Sequence, residues 1–139
     1  MLTEKDHCDY ETCVALKELG YKTPTSAYYI PNNETLYFVS NPYRGGYVID
    51  CFYSHNSLRE GVMTHGFIDA PTMWEAQKWL REEKKIEVVV LGEKEIGGPY
   101  YADIYTESGY AGYVHKPCEK YEEALSEGIK GAVEILKEE

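Results

Sequence analysis

The sequence predicts an α+β fold in which residues 1–139 form one domain. Helical patterns lie far apart, near the start, the middle and the end of the chain. The segments between them are rich in β-branched and aromatic residues and follow one another in runs. Runs of strands between widely spaced helices indicate α+β rather than alternating α/β. We therefore expect the order α-β-β-β-α-β-β-β-α, with a mostly antiparallel sheet and three helices packed mainly on one face.

The first helix is expected from about Cys8 to Leu19. Asp6 or Asp9 has a side chain that suits the cap of its first turn. Gly20 follows the last apolar residue, and glycine is favoured in the left-handed conformation just past a helix end. The helix should therefore end at this glycine.

Three strands are predicted after this helix. The first two, Ala27 to Ile30 and Thr35 to Ser40, are separated by the turn-forming residues Pro31 to Glu34 and should form a hairpin. Alternating apolar residues predict the third strand from Tyr47 to Tyr53. Ser54 to Gly66 shows no periodicity, and an unstructured segment of that length in a compact domain is typically functional or mobile.

The middle of the chain predicts a helix that leads directly into a strand. Thr72 and Glu75 form a T-x-x-E capping box at the start of a helix from Thr72 to about Glu83, preceded by a short strand at Phe67–Ile68. Ile86 to Leu91 is then a strand rich in β-branched residues. The expected common core comprises Trp79, Leu80, Val88, Val90, Ile129 and Val133.

A second hairpin and a third helix complete the predicted fold. Tyr100 to Thr106 should pair with Tyr110 to His115 through the short segment Glu107–Gly109. The apolar residues of the last helix, Tyr121 to Leu136, recur at helical spacing. Gly128 is small enough to let this helix approach a sheet closely.

Charge and hydropathy make several classes of function improbable. The formal net charge is −10 and the pI is about 4.9, which disfavours direct binding to a nucleic-acid backbone. The longest apolar run, Val88 to Leu91, is far below the roughly 20 residues of a membrane helix. Met1 to Asp6 has no apolar core of a signal peptide, so we expect a cytoplasmic protein that neither crosses a membrane nor is exported.

The four cysteines are expected to be reduced, with no metal and no other cofactor. A zinc site would need ligands at a tight spacing such as C-x-x-C, whereas Cys8 and Cys13 are five residues apart. A cysteine nucleophile, Cys51 with His55 or His65, would require a spatial pairing that the sequence does not show. The candidate zinc ligands are His7, Cys8, Cys13, His115 and Cys118.

Fourteen tyrosines are the unusual feature of the composition, and most of them fall in or beside predicted strands. Tyrosine covers half-exposed sheets well, so ordinary sheet packing explains many of them. In the strand after Pro99, Tyr101, Asp103 and Tyr105 share one face, and Ala102 and Ile104 the other. If helices cover Ala102 and Ile104, an acidic, tyrosine-bearing face stays open, and tyrosine is enriched where proteins meet partners.

Three helix-start motifs occur in order along nearly the whole chain. They are Tyr10–Thr12 with Leu16–Tyr21, Ala70–Thr72 with Gln77–Glu82, and Tyr121–Leu125 with Gly128–Ile129 and Ile135–Leu136. Together they resemble a group of small uncharacterised proteins of phages, prophages and mobile elements in gut anaerobic bacteria. The resemblance implies a shared fold and brings no catalytic residue with it.

These observations favour a non-enzymatic accessory or interaction protein of a phage or mobile element. It would bind an unidentified protein partner through Tyr101, Asp103 and Tyr105, with the loop histidines His55 and His65 as further partner-binding candidates. A mimic of nucleic acid that inhibits a DNA-binding enzyme is a specialised form of this hypothesis. The alternatives are a small enzyme that uses the loop histidines His55 or His65, and a module that binds a sugar or a flat aromatic compound on the tyrosines. Nothing in the sequence fixes the oligomeric state.

Overall fold

The fold is taken from a computed structural model. It describes residues 3–23, 25–30, 33–38, 48–49, 53–54, 68–92 and 99–138. Two compact units make up the chain, one formed by residues 9–71 and the other by residues 1–8 with 72–139. The prediction that residues 1–139 form one domain stays a prediction, and each unit is described by itself.

The unit of residues 9–71 begins with helix α1, Tyr10–Glu18. The Asp9 side chain caps it by accepting a hydrogen bond from the Thr12 backbone N–H at 2.8 Å, so the second of the two expected capping residues is the one used. Gly20 follows the helix with a φ of +106°, a left-handed conformation that residues with a Cβ rarely adopt. The end of the helix therefore lies where the sequence predicts it.

Five short strands follow among the residues of this unit that the structure describes. They are β1 (Ala27–Ile30), β2 (Asn33–Phe38), β3 (Val48–Ile49), β4 (Tyr53–Ser54) and β5 (Ile68–Asp69). Strand β1 pairs antiparallel with β2, as the predicted hairpin requires, and also with β5 on its other side. Strands β3 and β4 pair with each other. The prediction of one continuous strand from Tyr47 to Tyr53 is wrong, because segments within it are antiparallel partners.

The second unit contains a short 3-10 helix and the remaining helices and strands. These are the 3-10 helix Glu4–Asp6, α2 (Met73–Glu83), β6 (Glu87–Gly92), β7 (Tyr100–Thr106), β8 (Gly109–Cys118) and α3 (Tyr121–Lys137). The strands form an antiparallel sheet in the order β6-β7-β8. Strand β8 extends past the predicted end at His115, with irregular register between Tyr100 and Ala102.

Helix α2 starts at the predicted capping box. The Thr72 N–H donates to Glu75 Oε1 at 2.8 Å, and the Glu75 N–H donates to Thr72 Oγ1 at 3.1 Å. The side chain of Gln77 then reaches strand β6, where its Nε2 donates to the Val88 carbonyl oxygen at 2.8 Å. This bond joins the helix to a backbone acceptor of the sheet.

Helix α3 covers one face of the β6-β7-β8 sheet at very short range. A Cβ added at Gly128 would lie 2.5 Å from Val88 Cγ1 and 2.8 Å from the Ala102 Cβ. The predicted close approach at Gly128 is thus confirmed. The helix is buried along one side through Ala124, Leu125, Gly128, Ile129, Ala132 and Val133.

The predicted core is correct at four of its six positions. Leu80, Val88, Ile129 and Val133 are buried, whereas Trp79 and Val90 are only half-buried. Trp79 lies on the flank of the apolar side of α2, and the Lys84 Nζ lies over its ring at 5.5 Å from the centroid. This position on the flank of the helix leaves the ring partly in solvent, where it makes a cation–π contact with the lysine.

The α+β class and the antiparallel pairing are confirmed. The described strands divide among three sheets instead of lying in one. Within the described ranges, no helix has both the length and the apolar composition that crossing a bilayer requires.

Candidate functional site

Strand β7 alternates between a covered and an open face. Ala102 and Ile104 are buried against α3, with 1% and 3% of their surfaces exposed. Tyr101 and Asp103 are half-buried, and Tyr105 is exposed. The alternation predicted from the sequence is therefore present, and the side of the sheet opposite α3 carries the three candidate residues.

The neighbouring strands extend this open side. In the register of β6 and β7, Leu91 lies opposite Tyr101, Val89 opposite Asp103 and Glu87 opposite Tyr105. Directly paired residues of an antiparallel sheet project to the same face. Tyr110 of β8 lies opposite Tyr105. We call this surface the tyrosine face; it comprises Glu87, Val89, Leu91, Tyr101, Asp103, Tyr105 and Tyr110.

The tyrosine face exposes large apolar side chains. Leu91 is 49% exposed, Tyr105 40% and Tyr110 55%. These are three of the six large hydrophobic side chains that are exposed in the described residues, so half of them lie on this one surface. The rings of Tyr105 and Tyr110 meet edge to face, with centroids 5.5 Å apart and an interplanar angle of 64°. Aromatic pairs favour this geometry, which fixes the two rings relative to each other.

The two carboxylates of this face have different surroundings. Glu87 Oε2 lies 3.6 Å from Nη1 of Arg81, a part-exposed ion pair. Asp103 sits between Tyr101 and Tyr105 on the same strand, and no hydrogen bond or ion pair to its side chain occurs within the described residues. The face is thus mainly aromatic and aliphatic, with a single carboxylate at its centre that lacks a cationic neighbour in the described ranges.

Outside the tyrosine face, we considered the surface clefts and the possible metal ligands. In the unit that contains α3, described residues line open clefts of about 300 and 290 Å³. Glu119, Glu123 and Glu127 line the first, and Lys84 and Lys85 the second. In the part of the chain that the structure describes, no three His, Cys, Asp or Glu side chains converge so that they could hold a metal ion.

The loop residues considered as functional candidates, His55, His65 and Cys51, lie outside the described residues. No disulfide joins the cysteines of the described ranges. Cys8, Cys13 and Cys118 are buried there, with 3%, 1% and 5% of their surfaces exposed. Burial among apolar neighbours is typical of a cysteine that serves as a small core residue.

Sequence reasoning missed the contribution of β6 and β8 to the tyrosine face. Val88 to Leu91 is a continuous apolar run, so the sequence alone does not tell which of its residues face α3. The acidic residue Glu87 gives a weak signal, because it is in phase with Val89 and Leu91. Pairing β6 with β7 in register would have brought these residues beside Tyr101 and Asp103.

Comparisons of the chain with protein-family models, with curated proteins and with solved structures give no significant match. The functional argument therefore depends on the tyrosine face itself.

Proposed function

We propose that the protein is a non-enzymatic accessory protein that binds another protein through the tyrosine face. The observation that carries this proposal is the concentration of exposed Leu91, Tyr105 and Tyr110 on the side of the sheet that α3 leaves open. Exposed large apolar side chains gathered on one face of a soluble protein often mark a site of interaction. Membership of a phage or mobile-element group, which the three helix-start motifs suggest, is part of the proposal.

The chemical composition of the face favours a protein partner. Tyrosine supplies a large, rigid contact area with few rotatable bonds, and its hydroxyl group accepts or donates hydrogen bonds at the rim. Tyr105 and Tyr110 already hold each other in an edge-to-face arrangement. Because these rings are constrained before binding, less conformational entropy is lost when a partner covers them.

Affinity capture from a lysate of the native host, followed by mass spectrometry, tests the proposal. The full chain should capture a specific protein, and the double variant Tyr101→Ala with Tyr105→Ala should lose it, because anchoring side chains at the centre of an interface carry most of the binding energy. Its thermal midpoint should stay close to that of the wild type.

The matched control is Trp74→Ala on helix α2. Trp74 is 40% exposed, the same fraction as Tyr105, but it does not lie on the tyrosine face. The captured protein should remain with this variant. Retention of the protein by the folded double tyrosine variant would contradict the proposal.

A further inference from the structure

Asp103 occupies an unusual position for a carboxylate. It lies within strand β7, the middle strand of its sheet, and its side chain is half-buried. Aspartate is depleted in strands, and partial burial of a carboxylate without a partner is unfavourable. Within the described residues no hydrogen bond or ion pair compensates for this burial. A cationic group that arrives from outside the chain would satisfy this position.

The neighbours of Asp103 define the shape of that group. Tyr101 and Tyr105 lie two residues away on either side of Asp103, about 6 to 7 Å along the strand at the usual rise per residue. In the register of the sheet, the apolar Val89 of β6 and Tyr113 of β8 are the residues paired with Asp103. A cation that binds here meets a carboxylate flanked by aromatic rings and an aliphatic side chain, a mixed surface that suits a planar, weakly hydrated cation better than a compact, strongly hydrated one.

We propose that the tyrosine face binds an arginine side chain of a basic partner protein, with the guanidinium paired to Asp103 and stacked on Tyr101 or Tyr105. This inference rests on the proposed function and names the partner chemistry of the same surface. A guanidinium can donate two parallel hydrogen bonds to one carboxylate while its flat face contacts an aromatic ring. A lysine ammonium offers only a point charge and loses more hydration on an apolar surface.

The charge of the whole chain agrees with a basic partner. The formal net charge of −10 attracts a cationic protein over long range and raises its rate of association. Glu87 adds a negative charge at the same face, but Arg81 lies 3.6 Å from it. Asp103 is therefore the carboxylate of this face at which an added cation gains the larger electrostatic interaction energy.

Titration of the isotopically labelled full chain with a synthetic peptide tests the inference. The probe is acetyl-Ser-Arg-Ser-Arg-Ser-Arg-amide, and the matched peptides carry lysine or the uncharged isostere citrulline instead of arginine. Nuclear magnetic resonance should show shifts at Tyr101, Asp103 and Tyr105. The arginine peptide should bind about fivefold to tenfold more tightly than the citrulline peptide, and the lysine peptide should lie between them.

Two variants separate a specific pair from general attraction. Asp103→Asn removes one negative charge from the tyrosine face, and Glu82→Gln removes one from the exposed surface of helix α2, outside that face. We expect Asp103→Asn to weaken the binding of the arginine peptide about fivefold to tenfold and Glu82→Gln to weaken it less than twofold. Equal losses in both variants, equal binding of the citrulline peptide, or no binding of the arginine peptide would each overturn the inference.

The same variants distinguish this inference from the proposed function. If Asp103→Asn keeps the captured host protein while Tyr101→Ala with Tyr105→Ala loses it, the tyrosine face is a binding surface but the arginine pair is refuted. If neither variant loses the captured protein, both proposals fail. Loss in both variants, with retention by Glu82→Gln, supports both.

Discussion

Gly128 sets how closely α3 approaches the sheet. Replacement by alanine would add a methyl group 2.5 Å from Val88 Cγ1 and 2.8 Å from the Ala102 Cβ. Neither contacted group is the far end of a flexible side chain, so backbone must move to make room. Overpacking of this kind typically costs about 1–3 kcal/mol. Alanine recovers about 1 kcal/mol of helix propensity relative to glycine.

We therefore expect Gly128→Ala to lower the free energy of unfolding by up to about 2 kcal/mol, the difference between these two effects. Urea denaturation followed by circular dichroism measures it. Ser126→Ala in the same helix is the control and should change stability by less than about 0.5 kcal/mol, since Ser126 is half-exposed. A Gly128→Ala protein more stable than the wild type would show that α3 does not lie this close to β6 and β7.

At the scale of secondary-structure elements, Leu80 joins α2 to the rest of its unit. Its side chain is completely buried, and α2 contacts both α3 and β6. Leu80→Ala should cost about 2–5 kcal/mol, the usual range for such a truncation in a core. Leu91→Ala is the matched control and should change stability by about 0.5 kcal/mol or less, because Leu91 is 49% exposed. Similar thermal midpoints for the two variants would contradict the packing of α2.

Helix ends were predictable from the sequence because their determinants are local. The Thr72–Glu75 box and the Asp9 cap each depend on bonds between residues three positions apart. The centre of the apolar side of α2 was predictable for the same reason. The burial of Trp79 on the flank of this side was not predictable. It depends on which elements cover the ring and on the position of Lys84 above it.

For the whole molecule, the sheet face on which each strand residue lies was predictable where polar and apolar residues alternate, as at Tyr101 to Tyr105. Which strands pair with one another was not predictable, since pairing depends on contacts between segments far apart in sequence. The segment predicted as one strand from Tyr47 to Tyr53 shows the difficulty. Its alternating residues suit one long strand as well as two short ones, and Val48–Ile49 in fact pairs with Tyr53–Ser54.

The same limit applies to the tyrosine face. The sequence predicted the contribution of β7, because Ala102 and Ile104 alternate with larger polar-tipped residues. The contributions of Leu91 from β6 and Tyr110 from β8 required the register of the sheet. The binding surface is therefore a property of three strands together and cannot be read from one of them.

Hydrogen–deuterium exchange of the full chain, alone and bound to the protein that it captures, tests the central claim most directly. Backbone amides of 87–92 and 100–111 should exchange more slowly in the complex, because a partner on the tyrosine face restricts solvent access to these strands and suppresses their local opening. Amides of α2 near Trp74 should be unchanged. Slower exchange around Trp74, with no change in β6 and β7, would place the interface elsewhere and contradict the account.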